Sequence, residues 1–224
     1  MSLGLVFALP CFLAKANEDE IRLLIRSDDM GVAKSINDAC IDTYKYGVAR
    51  SVEVIVNGSW FLDAVELLKQ NPGFDVGVHL CVTSEWSKCK WRPLTRAPSM
   101  VDPDGYFWPT TGPRTGPLAS PGFTGSNPDL KEVEAELRAQ IELAMKHLPN
   151  VTHVSAHMGA ATATDALRAL TQRVADDYGL GLQYDELQRF PRIGGIDAKD
   201  FESELVEALE KIEPGTYMLV EHPG

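Results

Sequence analysis

Apolar positions along this chain fall into two alternating patterns. Short apolar segments at 21–27, 51–56, 76–82, 151–156 and 216–220 read as strands, with the turn pair Asn57-Gly58 closing the second. Between them, apolar residues recur at helical spacing over 32–44, 61–70, 130–148, 164–178 and 201–212. Gly47 ends the first of these helices, and Asn71-Pro72-Gly73 stops the second. A further short strand is expected at 180–184. Strands that alternate with helices in this way are the sequence mark of a parallel α/β fold.

The stretch 83–129 carries neither period and is rich in Pro, Gly and Trp. An irregular loop of that length inside a compact domain is commonly a lid or a binding loop. There is no internal repeat and no linker composition, and 224 residues suit one domain.

A formal net charge of -11 argues against a nucleic-acid or anionic-membrane partner, which would need a basic face. A neutral or cationic small molecule fits better. The apolar run 4–14 is too short to span a membrane, and its Ala14-Lys15-Ala16 ending suits signal-peptide cleavage. No Lys or Arg precedes it, so an N-terminal extension is the alternative reading of 1–16, with the domain at 17–224. Export to the periplasm or medium follows from the first reading, a cytoplasmic location from the second. Cys11, Cys40, Cys81 and Cys89 include no C-x-x-C pair, which argues against a thiolate zinc site and a disulfide scaffold.

In parallel α/β folds the loops at the carboxyl ends of the strands build the site. Asp28 and Asp29 end the first strand, His79 lies late in the third, His157 just past the fourth and His222 just past the last. Two carboxylates and three imidazoles on one rim are costly to desolvate without a cation or mutual hydrogen bonds. Two His and one Asp around a divalent ion leave positions open for water and substrate, the pattern of a catalytic site.

Each residue also has a plainer reading. Asp29 before Met30-Gly31 suits a helix cap, and His79 alone in an apolar strand suits a hydrogen-bonded core residue. His153 and His157 are four apart, but Val154 stands where the zinc-helix motif needs Glu, and on a strand only His157 reaches the carboxyl end. His153 is therefore left outside the site. His147 reads as a favourable charge at a helix C-terminus.

Ser27-Asp28-Asp29-Met30-Gly31, Gly77-Val78-His79-Leu80, 152–159 and Glu221-His222-Pro223-Gly224 resemble, in order and spacing, the YdjC-like carbohydrate deacetylases, relatives of the polysaccharide deacetylases. The likeness runs from about Ile21 to the last residue and takes in Arg92-Pro93-Leu94 and 98–108. It implies a single-domain distorted (β/α) barrel with parallel strands and a metal site of Asp29, His79 and His157. It also implies Asp28 as general base and His222 as acid, whereas the residues alone allow the two Asp roles to be exchanged. Three departures stand out: Ser155 where the family often has Asp, Gly159 where many members have a further His, and an end at Gly224 where relatives commonly continue.

The implied reaction is removal of an N-acetyl group from an amino sugar or short chitooligosaccharide, with one divalent cation, zinc ahead of magnesium. The expected partner is a small amino sugar, with a homodimer allowed and no membrane span. Trp86, Trp91, Tyr106 and Trp108 in the long loop are candidates for stacking on sugar rings, or else for pinning the loop to the barrel. Alternatives are another metal-dependent amidase, a phosphoesterase, which the lack of a Gly-rich phosphate loop or Arg cluster disfavours, or a catalytically silent carbohydrate-binding relative.

Overall fold

The computed structural model describes residues 20–148, 150–182, 187–191, 193 and 198–224. The apolar run 1–16 with Cys11, and residues 183–184 of the expected short strand, lie outside the described residues.

Among the described residues, seven parallel strands form one curled sheet, an incomplete barrel: β1 (Ile21–Met30), β2 (Ser51–Val54), β3 (Asp75–Leu80), β4 (Val151–Ala156), β5 (Gly181–Leu182), β6 (Gln188–Arg189) and β7 (Gly215–Glu221). Their order is β5-β4-β3-β2-β1-β7-β6, so the first strand pairs with both the second and the last. The helices are α1 (Lys34–Lys45), α2 (Phe61–Gln70), a short α3 (Gly122–Gly125), α4 (Leu130–His147), α5 (Asp165–Asp177) and α6 (Phe201–Lys211). Each helix read from apolar spacing is present within two residues or so of its expected ends. β6 is the strand the periodicity misses, since two exposed residues carry no apolar signal.

The outer faces of the central strands bury Val52, Val54, Val76, Val78, Leu80 and Val154 against helix residues such as Ala64, Leu68, Leu137, Ile141 and Val174. This is the usual burial of a parallel sheet under crossover helices. α4 and α5 are started by caps: Asp129 accepts from the Lys131 amide and Thr164 from the Leu167 amide.

The inner face is different. Register places Glu53, Gly77 and His153 in one row across β2, β3 and β4, with His79 and Ser155 paired in the next row toward the carboxyl ends. Side chains two apart on a strand share a face, so a column of polar groups runs up the barrel interior. Gly77 makes the column possible, because a Cβ there would lie 2.5 and 2.6 Å from the Glu53 carboxylate oxygens.

The loop 83–129 is irregular, as expected, but it is not loose. It contains three single turns, at Pro98–Met100, Gly116–Leu118 and Gly122–Gly125, and two isolated bridges. Met100, Phe107 and Phe123 are fully buried and give it a core of its own. Glu136 on α4, itself buried, accepts hydrogen bonds from the amides of Leu94 and Thr95, the Thr95 hydroxyl, Asn57 and Gln140. Cys40 and Cys81 are buried free thiols and Cys89 is a partly exposed one. Among the described residues, no helix is long and apolar enough to cross a membrane.

Candidate metal centre

The first strand ends in a distortion that decides where its two carboxylates point. On a regular strand, Asp28 and Asp29 would face opposite sides of the sheet. Here Asp29 has φ 68° and the register with β2 shifts between Ser27 and Met30, a bulge that turns the chain. Asp tolerates this left-handed backbone better than most residues. Gly31 completes the turn at φ 102°, where a Cβ would lie 2.5 Å from the Ile55 carbonyl oxygen. Both Asp side chains thereby reach the mouth of the barrel. Asp29 does not cap the following helix, since α1 starts after Ala33 with no side-chain cap.

Asp29, His79 and His157 each offer a ligand atom, and these atoms lie within 4.8 Å of one another. Nδ1 of His157 is 3.1 Å, and Nε2 of His79 3.5 Å, from Oδ1 of Asp29. That buried oxygen nevertheless makes no hydrogen bond. A buried carboxylate oxygen approached by two imidazole nitrogens but aligned with neither suits a shared cation, so the donors fit a divalent ion with nitrogen and oxygen ligands.

Electrostatics agree with the geometry. Burial pushes the Asp29 carboxyl up, but His157, His79 and His222 together outweigh it and hold the group down at about 2. Burial disfavours the charged form of His157, yet Asp29 and Glu85 raise it to about 9. For His79 burial wins over Asp28 and Asp29, and the ring is held below its ordinary value.

Around these three residues stand further groups. Arg26 grips both oxygens of the buried Asp28, at 2.7 and 2.9 Å. Oδ2 of Asp28 is also 3.5 Å from Nε2 of His79. Glu85, at the start of the long loop, lies 3.1 Å from Nε2 of His157. His222, past β7, is 4.0 Å from Oδ2 of Asp29 and 63% exposed. Beneath the centre, Ser155 bonds Nδ1 of His79 at 2.6 Å and donates to Glu53. His153, in turn, is buried against Glu53 at 2.5 Å.

The five groups expected at one rim thus meet there. Arg26, Glu53 and Glu85 are the ones that reading along the chain passed over. Strand alternation from Asp28 points to Arg26 and strand pairing to Glu53, but nothing in the sequence singles out Glu85.

A cavity of about 1270 Å³ opens over the centre. Of the four loop aromatics expected to meet substrate, Trp86 lines it, while Trp91, Tyr106 and Trp108 are not among its lining residues. Trp91 is 5% exposed, donates from Nε1 to the Thr83 carbonyl at 2.6 Å, and stacks edge-on with Trp86 and His157. Tyr106 packs under the Arg92 guanidinium, 4.0 Å from the ring centre. Arg26, Arg168 and Arg189, far apart in sequence, all line the cavity.

The model of the YdjC-like protein family matches residues 22–224. A carbohydrate deacetylase of Thermus thermophilus is 32% identical, the match covering 89% of this chain and 76% of that protein. A carbohydrate deacetylase of Oceanobacillus iheyensis is 28% identical, over 91% of this chain and 86% of the relative. In solved structures the fold recurs in an Enterococcus faecalis protein described as a candidate cellobiose-phosphate cleavage protein. That match has a TM-score of 0.71 at 23% identity and covers 92% of this chain and 82% of the other. With the strand order, the site residues and these likenesses together, this chain belongs to the YdjC-like protein family.

Proposed function

We propose that this protein is a metal-dependent carbohydrate N-deacetylase, hydrolysing the acetamide of an amino sugar or short chitooligosaccharide. The observation that carries the reading is the buried Oδ1 of Asp29, without a hydrogen bond and faced by His79 and His157. Asp29, His79 and His157 are the ligands in this reading. A divalent cation there, zinc ahead of magnesium, supplies a Lewis acid that polarises an amide carbonyl and makes water more acidic.

The side chains divide the proton work. Asp28 takes the proton of the attacking water at Oδ2, the oxygen toward His79, while the Arg26 fork fixes its orientation. His222, exposed just past the end of β7, gives its proton to the departing amine. Trp86, which lines the cavity, offers an aromatic face to a sugar ring.

Acetate release from N-acetylated chitooligosaccharides, measured alongside bound metal, tests the proposal. Stoichiometric zinc and acetate formation that a chelator abolishes are expected; binding of the sugar with no acetate released would overturn it in favour of a silent carbohydrate-binding protein. A second reading, phosphoester hydrolysis at the same centre, draws on Arg168 and Arg189 in the cavity lining. Release of phosphate instead of acetate separates the two.

A further inference from the structure

Glu53 lies at the middle of β2, fully buried, a full row below the candidate ligands. A carboxylate in that position needs a reason, because burying it is costly unless it is paired. Its oxygens are both engaged. Oε1 meets Nε2 of His153 at 2.5 Å and Nε of Arg26 at 3.8 Å, and Oε2 accepts the hydroxyl of Ser155. With the His153 ring and the Arg26 guanidinium beside it, the carboxyl is held below its ordinary range even though burial opposes ionisation.

The consequence follows from donor and acceptor inventory. An ionised carboxylate only accepts, and a serine has one proton to give. The Ser155 proton goes to Glu53, so Oγ meets His79 with a lone pair, 2.6 Å from Nδ1. His79 must then carry its proton on Nδ1. In the neutral ring the lone pair is then on Nε2, which faces Oδ2 of Asp28 and Oδ1 of Asp29 at 3.5 Å each. Two carboxylate oxygens turned toward a lone pair repel it unless a cation lies between.

We propose that Glu53, acting through Ser155, is a positioning residue that fixes the tautomer of His79 and aims its Nε2 at the cation site. Its worth depends on the metal centre proposed above, but the tautomer itself does not. An acceptor on the far nitrogen of a ligating histidine orients the ring and raises its basicity. Here that acceptor is a hydroxyl made a better one by donating to a buried carboxylate. Arg26 serves both rows, holding Asp28 with two hydrogen bonds and Glu53 by charge.

The first test is the imidazole nitrogen NMR spectrum of the metal-free protein, with the His79 signals assigned by their loss in His79→Gln. The wild type is expected to show the Nδ1–H tautomer, and Ser155→Ala a shift toward Nε2–H. The second is affinity for zinc(II) alone, by competition with a chromophoric chelator. Ser155→Ala and Glu53→Gln should each weaken it about 10–100-fold. Ser155→Thr, which keeps the hydroxyl, should restore both readouts. The double variant should be no weaker than the weaker single one, since the two act in series.

An Nε2–H tautomer in the wild type, or Ser155→Ala with unchanged tautomer and unchanged zinc affinity, would overturn the proposal. If Glu53→Gln does not fold, the Ser155 pair of variants still decides it. A wild type that binds no zinc sinks the metal reading instead, and the tautomer comparison then rules on the positioning alone.

Discussion

Oδ1 of Asp29 lies 3.1 Å from Nδ1 of His157 but makes no hydrogen bond with it, so the two are held together by charge and by the fold. Asp29→Asn keeps a side chain that tolerates the φ of 68° while removing the negative charge. Zinc affinity should fall by more than the roughly 10–100-fold that loss of an outer partner costs, with melting temperature little changed. Asp29→Ala should lose the same affinity and also stability, because Ala is strained at that backbone conformation. Chelator competition and thermal melts check both, and Asp29→Asn with wild-type zinc affinity would remove Asp29 from the ligand set.

Glu53 and His153 should give stability a definite pH window. Burial opposes charge on both, but their mutual attraction prevails: the Glu53 carboxyl falls below its ordinary 4.5 and the His153 ring rises above its ordinary 6.5. The Glu53 contribution is present above 4.5 and lost as pH falls through its lowered folded value. That of His153 is complete below 6.5 and lost as pH rises through its raised folded value. The stability gap between wild type and His153→Gln, from urea titrations with chelator present, should therefore be widest between about pH 4.5 and 6.5. A gap that grows steadily toward alkaline pH would contradict the pairing.

Glu136 should matter for substrate binding at a distance. Its carboxylate gathers the Leu94 and Thr95 amides, the Thr95 hydroxyl and two side-chain amides, and so clamps the loop whose beginning carries Glu85 and Trp86. Glu136→Ala strands several buried donors and should cost about 2–4 kcal/mol in urea unfolding. Glu136→Gln retains one acceptor oxygen and should cost less. Both should raise KM, and a KM unchanged in a destabilised Glu136→Ala would show that the loop does not set the substrate site.

Trp86 and Trp91 should separate cleanly. Trp86 is 38% exposed at the cavity, so Trp86→Ala is expected to raise KM while changing stability by less than about 1 kcal/mol. Trp91 is buried with its indole N–H bonded, and Trp91→Ala should cost about 3–5 kcal/mol. Steady-state kinetics with thermal melts test the pair; the reverse assignment of effects would make Trp86 the loop's anchor and Trp91 the sugar platform.

Much of this was legible in the chain because it is local. Helical spacing marks α4 and α5 without reference to anything distant, and parallel strands with their loops send Asp28, Asp29, His79, His157 and His222 toward one rim. The aromatic loop shows where local reading stops. Trp86 and Trp91 are the same residue type five apart, and only packing decides that one lines the cavity and the other lies beneath it. Likewise Glu85 carries no periodic or motif signal, yet the loop's fold brings it to His157.

By itself the sequence determined the order of elements, the parallel α/β class and which strand ends carry ionisable groups, since these depend on period and residue type. Tertiary structure alone decided that Asp29 turns at a bulge to share a mouth with Asp28, and that Glu53, Ser155 and His79 form one chain of hydrogen bonds across three strands. The physical reason is that strand register and backbone handedness set which side chains meet. Both are settled by the packing of residues some hundred positions apart, as Glu53 and Ser155 are.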